Sequence, residues 1–267
     1  MPRPSRPYLL RALPGALALL GLLPALAVAQ EYGQGLQAKY VRDSEEYAAL
    51  VRQVYRVAAA RLPDAVRPLP RGAVWAVVLD VDETALDNSV YELERATYGI
   101  PFNAPSWNAW VERREAGVVP GVAGFIRKVR AAGGRVAWVS NREEAVREAT
   151  QANMEAHGLW AAGDLLCLER AADTAYTKTQ RRAGLAAGTG ACAWPGVRPR
   201  VVAFVGDAMG DFPAADEAVA AGGAAGDEAF GTRFFLLPNP MYGRWVTRVT
   251  RRPTPATVGP GGASSQE

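Results

Sequence analysis

Histidine and cysteine are scarce in this sequence, so catalytic mechanisms that depend on either residue type have few candidate residues. Among 267 residues there is one histidine, and this His157 directly precedes Gly158 at an expected helix end. A surface or capping role suits that position, so we discount phosphohistidine chemistry. Cys167 and Cys192 could form a disulfide, but the sequence does not give their separation in space, so whether they pair is left undecided. Cys192 and Arg198 match the Cys-x5-Arg pattern of thiol phosphatases. In those enzymes a helix follows the pattern, whereas a strand is expected to follow it here, so we discount the match.

Long hydrophobic runs are also few, and the most prominent one lies at the amino terminus. It covers residues 12–26, follows three arginines and contains two prolines. The small residues Ala27-Val28-Ala29 come next, which is the order of a secretory signal peptide and its cleavage site. The run is too short to span a membrane comfortably. We predict a signal peptide over 1–29, cleaved before Gln30, and a periplasmic or secreted protein with no stable membrane anchor.

An excess of positive charge is missing once this segment is set aside. Three of the 30 basic residues lie within 1–29, and the others balance the 27 acidic residues. A balanced chain offers no basic field to attract phosphate backbones. We therefore expect no nucleic-acid partner.

Strand patterns and helix patterns alternate through most of the remaining chain. Short apolar runs predict buried parallel strands at 73–79, 136–139, 165–168, 201–205 and 234–237. Helices are expected between them, starting at Pro120 and at Glu143. This alternation predicts an α/β fold, with a Rossmann-like parallel sheet covered by helices on both faces.

The chain divides into four predicted parts. Residues 1–29 are the signal peptide, and 30–72 form a helical segment that contributes to a cap. Its first ten residues are expected to be loosely ordered, followed by a helix that is capped by Asp43 and ends before Pro63. Residues 73–250 form the core, with an aromatic-rich insertion at about 89–119 that adds a small, mostly helical cap. The Pro- and Gly-rich tail 251–267 is expected to be disordered.

Two carboxylates follow the first predicted strand directly. Asp80 and Asp82 are two positions apart, so both can point into one site. Neighbouring carboxylates repel unless a cation or a shared proton relieves them, which indicates a metal site or acid-base chemistry. A calcium loop starting at Asp80 is excluded, because Ala85 and Tyr91 occupy its glycine and glutamate positions.

Polar residues also follow other strands of the predicted sheet. Ser140 comes after the second strand, where helix amides could help to hold a phosphate. Asp207 and Asp211 come after the fourth strand and are flanked by glycines. Because ligands bind beyond the carboxyl ends of parallel strands, these groups are expected to share one crevice with Asp80. Carboxylates of this kind suit a hard cation such as Mg²⁺.

In this order, the motifs resemble those of the class C acid phosphatases, bacterial enzymes of the haloacid dehalogenase superfamily. The string from Asp80 to Ser89 is the most specific part. Three further strings support it: Trp107-Asn108-Ala109-Trp110, Ser140-Asn141-Arg142 and Leu237-Pro238-Asn239-Pro240-Met241-Tyr242-Gly243. Members of this family often carry a lipid-bearing cysteine after the signal peptide, whereas this chain has Gln30.

The resemblance implies a Mg²⁺-dependent phosphatase acting on small-molecule phosphomonoesters. Asp80 would attack phosphorus, and Asp82 would serve first as general acid and then as general base. The resemblance further implies that phosphate is bound by Ser140, Asn141 and Lys178, and that Thr84 supports the loop. Mg²⁺ would be bound by Asp80, Asp207, Asp211 and the backbone carbonyl of Asp82. The leaving group, often a nucleotide base, would stack on Phe102 and Tyr242. Two alternatives stay open. One is a phosphotransferase that uses the same aspartyl-phosphate intermediate on Asp80, and the other is an exported binding protein without turnover.

Overall fold

The computed structural model describes residues 35–170, 177–214 and 226–247. The predicted signal peptide and the predicted disordered tail lie outside these residues. In chain order the elements are α1 Leu36–Asp43, α2 Glu45–Val66, β1 Trp75–Leu79, β2 Leu86–Asp87, α3 Ser89–Tyr98, α4 Ala104–Arg113, β3 Gly117–Val118, α5 Val122–Ala131, β4 Arg135–Glu143, α6 Arg147–Ala156, β5 Leu165–Glu169, α7 Lys178–Ala187, β6 Arg200–Gly206 and β7 Phe234–Leu236.

A five-stranded parallel sheet forms the centre of the fold, in the order β5-β4-β1-β6-β7. Both faces of β1 are buried, since Val77 and Leu79 join one apolar cluster while Ala76 and Val78 join another. Helices α2, α5 and α6 contribute to the first cluster and α7 to the second. The predicted α/β fold class, with a parallel sheet between helices, is confirmed.

The insertion after β1 is closed at its base by a short antiparallel ladder. Leu86 pairs with Val118 and Asp87 with Gly117, so β2 and β3 bring the two ends of the insertion together. Helices α3 and α4 lie between these ends. Helix α1 packs against α3, whereas α2 packs against α5 of the core.

The amino-terminal helices differ from the expectation in three ways. Residues 36–43 form a helix, although the chain up to about residue 39 was expected to be loosely ordered. Ser44, not Asp43, caps α2, because its hydroxyl accepts from the Tyr47 amide at 3.0 Å while the Asp43 carboxylate is bound by Lys39 and Arg42. Helix α2 also continues past Pro63 to Val66, since a proline within the last turn removes only one amide donor.

Cys167 and Cys192 are both buried in the apolar cluster on the α7 side of the sheet. A hydrogen bond with Cys192, together with burial, raises the pKa of Cys167. The two thiols are therefore neighbours, although no disulfide joins them. Among the described residues, no helix is both long and apolar enough to cross a membrane.

Candidate active site

Three adjacent strands bring polar residues to one edge of the sheet. Asp80 follows β1, and its amide donates to the Val205 carbonyl of β6 at 3.0 Å. Asp207 follows β6, and Ser140 lies near the end of β4. Strand β1 lies between β4 and β6, and all three are parallel. Their carboxyl ends therefore open into the same crevice.

An acidic cluster occupies this crevice. Carboxylate oxygens of Asp80, Asp207 and Asp211 lie within 4.8 Å of one another. Asp211 is held in place by the Ala208 amide, which donates to Oδ2 at 2.9 Å. Gly206 permits this approach, because a Cβ at that position would collide with the Asp211 carboxylate. The glycine before Asp207 is thus needed for packing against the cluster.

Lys178 inserts its ammonium group between two of these carboxylates. Its Nζ lies 2.8 Å from Asp80 Oδ1 and 2.5 Å from Asp211 Oδ1. Lys178 is the first residue of α7, and a capping box between Thr177 and Gln180 fixes that end of the helix. Burial lowers the pKa of Lys178, but Asp80 and Asp211 outweigh this effect, so the pKa is raised. The lysine therefore stays positively charged in the site.

Two of the three carboxylates, those of Asp80 and Asp207, resist ionisation when no cation is present. Burial raises the pKa of Asp80 well above its ordinary value; Lys178 opposes the rise, and Asp211 and Asp207 add to it. Burial and Asp211 together raise the pKa of Asp207 to about 6, against a hydrogen bond donated by Asn239. One lysine does not neutralise three carboxylates. Because such oxygens are the usual ligands of hard divalent cations, the residues present fit a divalent metal ion.

Asp82 lies outside this cluster, since its carboxylate has other partners. Arg142 donates to Asp82 Oδ1 from Nε at 3.0 Å and from Nη2 at 2.8 Å, and Asn88 Nδ2 donates to the same oxygen at 3.0 Å. Arg142 is 1% exposed and also reaches Thr150 Oγ1 at 3.2 Å. Trp110 of the cap donates to Asn88 Oδ1 at 2.9 Å. The orientation of Asp82 is thereby connected to both β4 and the cap.

The turn after Asp82 has an unusual backbone conformation that other loops support. Glu83 has a φ of 52°, which is uncommon for a residue with a side chain. Its buried carboxylate accepts from the amide and side chain of Asn88 at 2.9 and 3.0 Å. The Thr84 carbonyl accepts from the Tyr55 hydroxyl at 2.5 Å, and Thr84 Oγ1 makes a long contact of 3.5 Å with Asp207 Oδ1. Thr84 therefore contacts both Tyr55 of α2 and Asp207 of the acidic cluster.

Ser140 and Asn141 lie in β4 and do not start a helix. The strand continues to Glu143 through an irregularity after Val139, and α6 begins at Arg147. The expectation that helix amides follow Ser140 directly is therefore wrong. Ser140 Oγ lies 3.4 Å from Asp82 Oδ2 and accepts from the Arg142 amide at 3.0 Å. Ser140 is buried, whereas Asn141 is exposed.

The two aromatic residues expected to bind the leaving group lie on separate elements. Phe102 is 59% exposed, and its ring centroid is 6.3 Å from that of Trp107 in the cap. Tyr242 lies in the loop after β7, where its amide is 3.4 Å from Asn239 Oδ1. Asn239 in turn donates to Asp207 Oδ2 at 2.8 Å. The structure does not pack the Phe102 and Tyr242 rings on each other.

Several polar residues that contact the site had no role assigned to them from the sequence. Three of them, Asn88, Arg142 and Asn239, lie within motifs that carried the family resemblance, which was the only available signal. The others had none: Arg181 and Arg182 donate to the backbone carbonyls of Ser140 and Gly210, which are distant from them in sequence.

A parallel sheet with an acidic cluster and a buried lysine at its carboxyl edge is the arrangement of a phosphomonoester hydrolase with the haloacid dehalogenase fold. The family model described as HAD superfamily, subfamily IIIB (acid phosphatase) matches residues 24–245. The chain belongs to this family. The suspected relationship to class C acid phosphatases is confirmed, and the protein is a phosphomonoester hydrolase.

Two solved structures of the class C acid phosphatase from Bacillus anthracis are similar to this chain. The first is 26% identical with a TM-score of 0.65, and the match covers 81% of this chain and 87% of that one. The second, with tungstate bound, is 25% identical with a TM-score of 0.64, covering 80% and 86%.

Proposed function

We propose that this chain is an exported, Mg²⁺-dependent acid phosphatase that forms an aspartyl-phosphate on Asp80. The observation that supports this most is the environment of Asp80. Its carboxylate is buried, pairs with Lys178 at 2.8 Å and lies within 4.8 Å of carboxylate oxygens of Asp207 and Asp211. A nucleophilic carboxylate needs such neighbours, because an anionic phosphate must be partly neutralised before an anion can attack it.

The reaction proceeds in two displacements on the residues described. A carboxylate oxygen of Asp80 attacks phosphorus, the ester P–O bond breaks, and Asp82 gives a proton to the departing oxygen. Asp82 then takes a proton from water, whose oxygen attacks phosphorus and breaks the bond to Asp80. Lys178 and the Ser140 hydroxyl bind phosphoryl oxygens in both steps.

Mg²⁺ would be held by Asp80, Asp207 and Asp211 with the Asp82 carbonyl, and it would supply charge neutralisation at the phosphoryl group. Exhaustive dialysis against EDTA should abolish hydrolysis of p-nitrophenyl phosphate, and added Mg²⁺ should restore it. Full activity after dialysis would contradict the metal requirement.

Asp80→Asn provides the direct test of the nucleophile. It keeps the shape of the side chain and removes the charge, so we expect turnover to fall by about 10⁴-fold or more. Asp64→Asn, at an exposed position in α2, serves as the control. Near-normal turnover by Asp80→Asn would refute the mechanism. Glycerol added to the assay separates the alternatives, since a phosphotransferase would release more alcohol than phosphate.

The proposed substrates include 5′-nucleotides, bound between Phe102 and Tyr242. Both residues are linked to the reacting groups, Phe102 through Trp107 and the guanidinium of Arg142, and Tyr242 through Asn239. Stacking on aromatic faces accepts any base. Alanine at either position should lower kcat/KM for nucleotides more than for sugar phosphates. Tyr98→Ala, at a 74% exposed cap position, is the control. Unchanged ratios in all variants would rule out stacking.

Export rests on the predicted signal peptide. Amino-terminal sequencing of the mature protein should give Gln30 as the first residue, with the enzyme recovered from the periplasm or the medium. A product that retains residues 1–29 in the cytoplasm would contradict export.

A further inference from the structure

Helix α7 places three cationic side chains in the interior within its first five residues. Lys178, Arg181 and Arg182 are all largely buried, with Arg181 at 1% and Arg182 at 5% exposure. Buried guanidinium groups are retained only when they are well paired. Lys178 contacts the acidic cluster, whereas Arg181 reaches strand β4 and Arg182 reaches the loop after β6. Their partners show what each of them can control.

Arg181 binds the end of β4. Its Nη1 donates to the Ser140 carbonyl at 3.0 Å, and its Nη2 donates to Asn141 Oδ1 at 2.5 Å. The guanidinium therefore fixes both the backbone of Ser140 and the side chain of Asn141. The proposed function assigns Ser140 to phosphate binding, and the family resemblance implies the same role for Asn141.

Arg182 binds the loop that follows β6. Its Nη1 donates to the Gly210 carbonyl at 2.9 Å, and its Nη2 donates to the Phe212 carbonyl at 3.2 Å. These two carbonyls flank Asp211, whose carboxylate belongs to the acidic cluster. Arg182 thus holds the backbone on both sides of a residue proposed to bind the cation.

We infer that Arg181 and Arg182 are positioning residues with separate tasks. Arg181 shapes the phosphate-binding end of β4, and Arg182 shapes the cation-binding loop after β6. This inference rests on the proposed function, because it assumes that phosphate and a divalent cation bind in this crevice. Neither arginine is expected to touch the reacting atoms. Each acts through the segment whose carbonyls it binds, and a flexible lysine cannot reproduce the two-pronged contact.

The test compares Arg181→Gln with Arg182→Gln in two calorimetric titrations. Mg²⁺ is titrated into the metal-free protein, and inorganic phosphate is titrated into the Mg²⁺-saturated protein. Loss of a supporting contact typically weakens affinity by about 10- to 100-fold. We expect Arg181→Gln to weaken phosphate binding by about tenfold or more with the Kd for Mg²⁺ little changed. Arg182→Gln should weaken Mg²⁺ binding to a similar extent.

Arg147→Gln is the matched control, because Arg147 also donates to a strand carbonyl, that of Leu166, but lies outside the site. Both Kd values should stay unchanged in this variant. The lysine variants of Arg181 and Arg182 repeat the test if either glutamine variant fails to fold, as judged by thermal unfolding, and should show the same selectivity. Parallel changes in both Kd values, or none, would overturn the inference. A wild-type protein that binds Mg²⁺ and phosphate normally but does not turn over p-nitrophenyl phosphate would contradict only the proposed function.

Discussion

Replacing Asp207 by asparagine should stabilise the metal-free protein at neutral pH. Burial and Asp211 raise the pKa of Asp207 from 3.8 to about 6 in the folded state. Holding this carboxylate ionised at pH 7 therefore destabilises the folded state relative to the unfolded chain. A difference of about two pKa units corresponds to about 3 kcal/mol. Asparagine removes the charge and keeps one acceptor oxygen, which can still accept the hydrogen bond from Asn239; only the long contact with Thr84 is lost.

The effect has a defined pH window. Below pH 3.8, Asp207 is protonated in both states, so the variant and the wild type should be equally stable. As the pH rises from 3.8 to about 6, Asp207 ionises in the unfolded chain before it ionises in the folded state, so the wild type loses stability and the variant does not; above about 6 the difference stays constant. At pH 7 in EDTA we expect a gain of about 3 kcal/mol, which is a rise in Tm of about 6–12 °C for a domain of this size.

Mg²⁺ should reverse the order of stability. A ligand at 1,000 times its Kd stabilises a folded protein by about 4.1 kcal/mol, which exceeds the gain of about 3 kcal/mol from the substitution, and the variant lacks one carboxylate of the cluster. Urea unfolding at pH 4 and pH 7, with EDTA or with Mg²⁺, tests both parts. Asp64→Asn, which changes an exposed carboxylate, is the control. A gain that persists unchanged at pH 4, or no gain at pH 7 in EDTA, would refute the reasoning.

Three further predictions concern packing and covalent structure. Arg142→Gln should lower the free energy of unfolding by about 3–5 kcal/mol, because it leaves a partly buried carboxylate without its partner; urea unfolding measures this. Gly206→Ala should weaken Mg²⁺ binding by at least about tenfold in calorimetry, since the new methyl group displaces Asp211. In protein recovered from an oxidising compartment, Cys167 and Cys192 should form a disulfide, with two protons and two electrons passing to a disulfide oxidant. Non-reducing peptide mapping by mass spectrometry would detect the linked peptides. Two separate thiols would contradict the prediction.

The residues at strand ends could be anticipated because two local rules act together. Apolar runs marked the strands, and parallel strands place their carboxyl ends on one edge. Asp80 and Asp207 follow such runs directly, so their proximity needed no knowledge of loop conformations. Lys178 lacked this constraint. Its location depends on where α7 packs against the sheet, and only the family resemblance indicated it.

The buried arginines could not be anticipated, because arginine is most often exposed and its burial depends on partners distant in sequence. Arg142 pairs with Asp82, 60 residues away. The cap of α2 was misplaced for a related reason. Asp43 and Ser44 are both good capping residues, and the choice was decided by Lys39 and Arg42, which bind the Asp43 carboxylate.

The charge balance of the site connects its stability to its function. Asp80, Asp207 and Asp211 carry three negative charges when ionised, and Lys178 supplies one positive charge. The negative charge of Asp82 is paired with the positive charge of Arg142, so it does not change this excess of negative charge. A phosphate dianion would meet net repulsion from such a cluster, whereas a divalent cation would bring the cluster to neutrality. Affinity for phosphate should therefore depend on cation binding, and by linkage bound phosphate should strengthen cation binding by the same factor.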